Sequence, residues 1–286
     1  LHALESRKES NLLAVTITKD NPKTVPFIEI INNLYGRKNI PIGMLKDGMT
    51  KEEGKFLGAV VDQKLPNGKF AYPRSGKSEE AISLLRRVLS QAQDGSVVMI
   101  QVGFSTNLAR LLDSSPDKFS SLNGMELVRK KCKLMSIMAG QFPPAKNAEY
   151  NVRIDIPAAK KLYANWPTPI VFSGFEIGLA MKFPASRIES DFAWAPKNPI
   201  VEAYRAYMKM PYDRPTWDLT SVLYAVRPDH GYFSLSPAGE VTVDDAGHTP
   251  FKETSGGKHK YLIIDEAQKI KTLEAMIQLA SEPPLR

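Results

Sequence analysis

The sequence predicts an α/β fold: a doubly wound, mostly parallel sheet with helices on both faces. Short apolar segments rich in β-branched residues alternate with longer segments in which apolar residues recur every three or four positions. This alternation runs from about residue 11 to residue 280. Polar residues follow directly after several of the apolar segments, at the strand ends where sheets of this kind bind their ligands.

The sheet is predicted to begin with a strand, a helix and a second strand. Residues 11–18 (NLLAVTIT) are apolar and β-branched, which is typical of a buried strand. Residues 22–36 carry apolar side chains at three-residue steps and end in a glycine, which indicates an amphipathic helix. Residues 40–45 form the next predicted strand.

A long loop, a helix and a third strand are predicted next. Residues 47–77 are rich in Gly, Lys and Pro and show no clear period, so we predict a loop there. Ser78 is an N-cap candidate, and the two glutamates after it favour the positive end of a helix dipole, which predicts a helix over 78–92. Residues 96–104 (SVVMIQVGF) form a predicted strand that leads into a helix from about Thr106.

The same alternation continues through the second half of the chain. Strands are predicted at 134–139, 169–173 and 261–265, and helices at 156–165, 199–208, 216–226 and 266–280. Residues 232–236 and 240–243 are predicted to pair with each other as a small β-hairpin near the C-terminus.

Composition and charge exclude several classes of function. The 43% hydrophobic and 24% charged residues are ordinary values for a globular protein and exclude global disorder. A single cysteine, Cys132, excludes an intramolecular disulfide and a cysteine-based zinc site. No apolar run reaches the roughly 18 residues of a membrane span. The net charge of +7 comes from scattered basic residues, densest at 129–133, so we expect no nucleic-acid partner.

The polar residues after the predicted strands point to a small, hydroxyl-rich ligand. Amides, hydroxyls and carboxylates grip pairs of hydroxyl groups, and aromatic rings cover the apolar face of a sugar. The dinucleotide, P-loop and serine-hydrolase motifs G-x-G-x-x-G, G-x-x-x-x-G-K-[ST] and G-x-S-x-G are not found in the sequence. The residues concerned are Asn21, Thr106, Gln141, Glu149, Tyr150, Asn151, Trp217 and Asp218. Glu176 also follows a predicted strand, but its position is equally consistent with a structural role beneath the pocket.

Five segments in order along the chain resemble the inosine/uridine-preferring nucleoside hydrolase family. They are LLAVTITKDN, VGFSTNLARLL, AEYNVRIDIPAAKKL, PTPIVFSGFEIG and RPTWDLTSVLYAVRP. The resemblance implies a single domain of that fold over residues 1–286. It also implies hydrolysis of the N-glycosidic bond of ribonucleosides to free base and ribose, with a Ca²⁺-bound water as the nucleophile. A homo-oligomer, dimer or tetramer, would follow as well.

The resemblance assigns roles to individual residues. Thr106, through its backbone carbonyl, and Asp218 match the family's calcium ligands. The residues that match its substrate-binding positions are Asn21, Gln141, Glu149, Tyr150, Asn151 and Trp217, with Trp217 a candidate for stacking on the leaving base.

The sequence also departs from the family pattern. The Asp-rich motif D-x-D-x-x-x-D-x-D-D, which supplies the general base and most calcium ligands, does not occur in it. Residues 1–10 resemble the end of the helix that follows this motif, so we expect the motif and the first strand upstream and no catalytic residue within the 286. Trp217 stands where many members have a histidine and cannot act as a general acid at neutral pH. Gln141 stands where asparagine is usual.

Other interpretations of these residues stay open. Asp218 at a helix N-terminus is an ordinary dipole partner, Tyr150 and Trp217 are common core aromatics, and the four histidines have no convincing partner. A divergent glycosidase acting on another riboside, or a non-catalytic sugar- or nucleoside-binding protein, would use the same residues. No sequence motif indicates which base is preferred. The sequence is equally consistent with a cytoplasmic, a periplasmic and a secreted protein.

Overall fold

The structure, a computed structural model, describes residues 1–143 and 148–284. It divides into two compact units. The first unit comprises Leu1–Ala81, Phe183–Arg214 and Ala275–Arg286, and the second comprises Ile82–Lys182 and Pro215–Glu274. The expectation of one domain over 1–286 stays a prediction.

Strands and helices are numbered in chain order. The strands are β1 (Val15–Ile17), β2 (Ile42–Met44), β3 (Glu79–Glu80), β4 (Val97–Gln101), β5 (Cys132–Met138), β6 (Ile170–Ser173), β7 (Lys182–Phe183), β8 (Arg214–Pro215), β9 (Ser234–Leu235), β10 (Gly239–Val241), β11 (Phe251–Glu253) and β12 (His259–Ile263). The helices are α1 (His2–Ser6), α2 (Thr24–Leu34), α3 (Leu57–Val61), α4 (Ala81–Gln91), α5 (Thr106–Asp113), α6 (Gly124–Lys131), α7 (Tyr150–Ile154), α8 (Ile156–Asn165), α9 (Phe175–Leu179), α10 (Ala185–Ser190), α11 (Pro199–Tyr207), α12 (Trp217–Val226) and α13 (Glu266–Ser281).

The first unit contains a three-stranded parallel sheet in the order β1-β2-β3. Val15 pairs with Ile42, and Gly43 pairs with Glu79. Helix α2 connects the first two strands, as the right-handed parallel crossover requires. Its apolar residues pack with Val60 and Val61 of α3.

The second unit contains a larger sheet in the order β11-β10-β12-β6-β5-β4, with β9 also paired to β12. Strands β4, β5, β6 and β12 run parallel to one another, whereas β9, β10 and β11 pair antiparallel. The register places Met135 beside Ile170 and Ser136 beside Val171. The carboxyl ends of β4, β5 and β6 therefore lie next to one another at one edge of this sheet.

The core of the second unit forms around β5 and β6. Met135, Ile137, Ile170 and Phe172 have no exposed surface, as expected of parallel strands covered on both faces. Helix α8 contributes Leu162, which is equally buried. This packing gives the strand ends a rigid support.

The mixed α/β class with a mostly parallel sheet is confirmed, but the predicted hairpin between 232–236 and 240–243 is wrong. Strands β9 and β10 do not pair with each other; each pairs with a different part of β12. Pro237, which has no N–H to donate, lies between them. The small antiparallel hairpin near the C-terminus is formed by β10 and β11 instead.

Several local predictions also differ from the structure. Glu79 and Glu80 pair with β2, so the helix predicted from Ser78 begins at Ala81. The predicted loop 47–77 contains α3, and α6, α7 and α9 were not predicted. Helices α7 and α9, of five residues each, are too short to show a period, whereas the eight residues of α6 follow a capping box at Asn123 and Glu126 that was missed. His259 is buried, and its Nδ1 accepts the Val241 N–H at 2.9 Å, so it has a partner.

None of the helices in the described ranges combines the length and apolar character needed to cross a bilayer.

Candidate functional site

Glu149 is the buried carboxylate of the site. It lies at the N-cap of α7, where its Oε1 accepts the Asn151 N–H at 2.9 Å and its Oε2 accepts the Val152 N–H at 3.2 Å. Oε2 also accepts the Gly140 N–H at 3.4 Å. The side chain is only 8% exposed. Three donors from two chain segments therefore orient this carboxylate.

The pKa of Glu149 is raised to about 7. Burial is the main cause, because it disfavours the charged form. The three backbone N–H groups oppose this rise, and the negative charge of Asp218 adds to it. Glu149 and Asp218, which are far apart in sequence, thus act on each other electrostatically in the second unit.

Asn151 and Tyr150 stand beside Glu149 in the first turn of α7. The Asn151 Nδ2 donates to the carbonyl oxygen of Met138, the last residue of β5, at 3.2 Å. Tyr150 is 43% exposed, and its ring lies 5.9 Å from that of Phe104. The amide is thus tied to a strand end while the aromatic ring stays accessible.

Thr106 begins α5, five residues after the last residue of β4. It is buried, and its hydroxyl donates a short hydrogen bond to Asp155. Asp155 is the N-cap of α8, and its other carboxylate oxygen accepts the Ala158 N–H at 3.2 Å. One carboxylate thus fixes the starts of two helices. Sequence analysis missed Asp155, although its place before Ile156-Pro157 is a recognisable capping signal.

Gln141 lies in the loop that follows β5. Its backbone N–H donates to Thr249 Oγ1 at 3.1 Å. The preceding Gly140 has φ +76°, and a Cβ there would lie 2.5 Å from the same Thr249 oxygen. Only glycine satisfies both the left-handed backbone and this close approach.

Trp217 and Asp218 form the first turn of α12. The indole ring stacks on Phe175 with 5.3 Å between centroids, and its Nε1 donates to the Phe175 carbonyl at 3.1 Å. A Cβ at Gly178 would lie 2.4 Å from the Trp217 Cα, so glycine permits the contact between α9 and α12. Asp218 is exposed.

Asn21 lies in the first unit. Its Nδ2 donates to the Lys51 carbonyl at 2.9 Å, and its Oδ1 accepts the Lys23 N–H at 2.9 Å. It is buried and organises the turn before α2. Its assignment as a ribose ligand stays a prediction.

The donor set does not suit calcium by itself. Ca²⁺ takes six to eight oxygen ligands. Within 1–143 and 148–284, no group of three His, Cys, Asp or Glu side chains converges in a way that would hold a metal ion. Glu149 is already engaged by three N–H donors. Thr106 and Asp218 as calcium ligands therefore stay predictions.

Comparison with known families decides the identity of this arrangement. The profile of the inosine-uridine preferring nucleoside hydrolases matches residues 1–276, nearly the whole chain. The chain belongs to the inosine-uridine preferring nucleoside hydrolase family. It is therefore a glycosyl hydrolase of a family that hydrolyses ribonucleosides and is generally metal-dependent.

Solved structures of nucleoside hydrolases share this fold. A plant nucleoside hydrolase, PpNRh1, is 17% identical with a TM-score of 0.72 over 99% of this chain and 95% of its own. A purine-preferring ribonucleoside hydrolase from Gardnerella vaginalis is 16% identical with a TM-score of 0.71, over 98% and 95%. The inosine-uridine preferring enzyme from Bacillus anthracis is 16% identical with a TM-score of 0.68, over 97% and 94%. No curated protein sequence matches the chain significantly.

Sequence analysis of this nucleoside hydrolase gave Glu176 no functional role. It lies directly after β6, in the first turn of α9, and its Oε2 accepts the Phe142 N–H at 3.1 Å. Burial raises its pKa to about 7, against the opposing effect of its backbone hydrogen bonds. Its position after a strand end was the only sequence signal of a role at the site. The sequence does not indicate its hydrogen-bond partner, Phe142, because that residue lies 34 positions away in the chain.

Proposed function

We propose that this nucleoside hydrolase binds the ribose of a ribonucleoside at the carboxyl ends of β4, β5 and β6 and hydrolyses its N-glycosidic bond to free base and ribose. The observation that carries the proposal is the buried, three-fold hydrogen-bonded carboxylate of Glu149 beside Asn151. Such a pair sits where parallel sheets bind ligands. Membership of the family supports the same reaction.

Glu149 retains the capacity to accept a ribose hydroxyl. A carboxylate offers about four lone-pair sites, and three of them are used by backbone N–H groups. One remains for an O–H of the sugar. Because those donors hold the carboxylate in place, a ribose hydroxyl meets an acceptor that is already oriented, which lowers the entropy lost on binding.

Asn151 contributes the complementary group. Its Nδ2 is committed to the Met138 carbonyl, which fixes the amide plane and leaves Oδ1 as an acceptor for a second hydroxyl. We assign Gln141, half-buried in the loop after β5, to the same ribose-binding set.

Trp217 is assigned to the leaving base, and Tyr150 is assigned to the sugar. The Trp217 N–H is already donated to the Phe175 carbonyl, so the indole contributes a flat surface for stacking and no acid. Tyr150, the first residue of α7, has an accessible ring. Stacking on Trp217 tolerates both purines and pyrimidines because every base has a π-face.

The nucleophile is proposed to be water activated at a calcium ion, as the family resemblance implies. Bound calcium would supply Lewis-acid activation of that water. The chain's predicted contribution is the Thr106 carbonyl and Asp218, which is too few ligands for Ca²⁺, so we derive no step through the ion. A dimer or tetramer is likewise proposed and is measurable by analytical ultracentrifugation.

The test is ribose release by the natural-length gene product from inosine, uridine, adenosine and cytidine, measured with a reducing-sugar assay with and without a calcium chelator. Ribose release that Glu149→Ala abolishes and exposed Glu274→Gln preserves would support the proposal. Loss of release with chelator, restored by Ca²⁺, would support calcium. Saturable nucleoside binding without ribose release would contradict hydrolysis and favour the binding-protein alternative.

A further inference from the structure

Three consecutive backbone N–H groups after β5 each donate to a side chain from a different part of the second unit. Gly140 donates to Glu149 Oε2 at 3.4 Å and Gln141 to Thr249 Oγ1 at 3.1 Å. Phe142 donates to Glu176 Oε2 at 3.1 Å. We call residues 140–142 the β5 loop. Its three N–H groups are satisfied by side chains and not by pairing with a neighbouring strand.

Glu176 is the member of this set that connects the β5 loop to the neighbouring strand β6. Glu176 follows the end of β6, and the N–H of the preceding residue, Phe175, donates to the Gly140 carbonyl at 2.8 Å. The loop is therefore bound on both its N–H and its carbonyl side by two adjacent residues. The register of β5 and β6 brings these two strand ends together.

The backbone at the end of β6 accommodates this carboxylate specifically. A Cβ on Gly174 would lie 2.3 Å from Glu176 Oε1 and 2.5 Å from Oε2. The carboxylate therefore folds back over Gly174 and occupies the space that any other residue's side chain would fill. The Glu176 side chain thus packs against the backbone of its own segment, residues 173–176.

The two carboxylate oxygens of Glu176 differ in their contacts. Oε1 is buried and has no hydrogen-bond partner in the described part of the chain. A buried acceptor left without a donor lowers stability, so a purely structural requirement would be met better by an uncharged acceptor. This carboxylate lies after the end of β6, beside the end of β5 that leads into the β5 loop.

We propose that Glu176 is a positioning residue that fixes the β5 loop, and with it Gln141, in the geometry that binds ribose. The inference rests on the proposed function. Glu176 contacts the loop backbone rather than reacting atoms, so its effect on the reaction passes through Gln141 and, by the Gly140 N–H, through Glu149. Loss of its acceptor would let the loop move away from β6.

Two substitutions separate this role from simple packing. Glu176→Leu keeps a similar volume but removes the acceptor for the Phe142 N–H, whereas Glu176→Gln keeps an acceptor. We expect Glu176→Leu to raise the KM for inosine about tenfold or more with a smaller change in kcat, because misplacing a binding group weakens ground-state contacts. Glu176→Gln should restore the KM to within about threefold of that of the unmutated protein.

A double-mutant cycle with Gln141→Ala identifies the route of the effect. If Glu176 acts through Gln141, the Gln141→Ala substitution changes KM much less in the Glu176→Leu protein than in the unmutated one. Exposed Glu274→Gln is the matched control and leaves KM unchanged. Urea unfolding of each variant shows whether it is folded under assay conditions.

The outcomes distinguish this inference from the proposed function. If the unmutated protein neither binds nor hydrolyses any nucleoside, the proposed function fails. If it hydrolyses inosine, and Gln141→Ala raises KM while folded Glu176→Leu does not, the positioning role is overturned. Additive effects in the cycle would overturn it as well. Should Glu176→Leu not fold, Glu176→Ala, which also removes the acceptor of the Phe142 N–H, replaces it in the cycle with Gln141→Ala, and additivity there contradicts the role.

Discussion

The hydroxyl groups of Ser173 and Thr220 lie 2.6 Å apart inside the second unit. Thr220 Oγ1 also donates to the Trp217 carbonyl at 2.6 Å, so its single hydrogen is used and Ser173 is the donor to Thr220. Ser173 ends β6, and Thr220 lies in α12. This pair therefore fastens the helix that presents Trp217 and Asp218 to the strand end of the site.

Thr220→Val is expected to destabilise the protein by roughly 1–3 kcal/mol, because the isosteric change leaves the Ser173 hydroxyl buried without its acceptor. Ser173→Ala is the matched variant and should lose less, since Thr220 keeps its bond to Trp217. Urea unfolding gives both values. Equal stability of Thr220→Val and the unmutated protein would contradict the importance of this pair.

Arg86→Met is expected to lower the free energy of unfolding by about 2–5 kcal/mol. Arg86 is 3% exposed, and its Nε lies 2.9 Å from Asp117 Oδ2. Its Nη atoms donate to Ser114 Oγ at 2.9 Å and to the carbonyls of Ser120 and Leu122 at 3.1 and 2.9 Å. Methionine fills the space but leaves these acceptors without a donor.

The control for that variant is Arg129→Met on the exposed side of α6. A surface arginine without buried partners should change the unfolding free energy by less than about 0.5 kcal/mol. Both proteins are compared by urea unfolding at pH 7. A loss no larger for Arg86 than for Arg129 would show that the buried bonds add nothing.

Stability is expected to fall as pH rises from about 5 to 8, in part through Glu176. Its pKa is raised from 4.5 in an unperturbed side chain to about 7 in the fold. The folded state therefore holds the proton more tightly, so this contribution is complete below pH 4.5 and is lost as pH rises through about 7. Glu176→Gln should reduce the slope of urea midpoint against pH. The slope will not vanish, because the pKa of Glu149 is also raised to about 7. An unchanged slope would contradict the raised pKa of Glu176.

Trp217→Ala is expected to weaken binding of inosine by about tenfold, through loss of base stacking, which contributes about 1–3 kcal/mol per base. Trp217→Phe keeps a flat ring but removes the N–H donated to the Phe175 carbonyl, so it should retain most affinity. Titration calorimetry with inosine measures both. Equal affinities for the alanine and phenylalanine variants would remove Trp217 from the base-binding set.

Sequence patterns predicted the elements that are long enough to show a period. The apolar runs at β4, β5 and β6 and the helices α8 and α12 lie within a few residues of their predicted positions. Their burial follows from residue type, because apolar side chains leave water wherever the chain allows. The same patterns placed Glu149, Asn151 and Thr106 after strand ends, where the sheet brings them to one edge of the second unit.

Short elements and long-range partners were decided by the tertiary structure. The five residues of α7 and of α9 carry no periodic signal, and β9 and β10 look like a local hairpin although each finds its partner in β12. Strand pairing of this kind depends on which backbone edge is free after the core has packed. A pattern of neighbouring residues holds no information about that edge.

The contacts of Glu176 show the same division most clearly. Its residue type and its place after β6 are properties of the sequence, and they make it a polar residue at a sheet end. Its proposed role depends on the Phe142 N–H, which the fold brings to it from 34 residues away in the chain. The sequence by itself therefore determined which groups are available at the strand ends. Only the tertiary structure decided which of them meet, because a buried N–H must find an acceptor wherever the packed backbone places it.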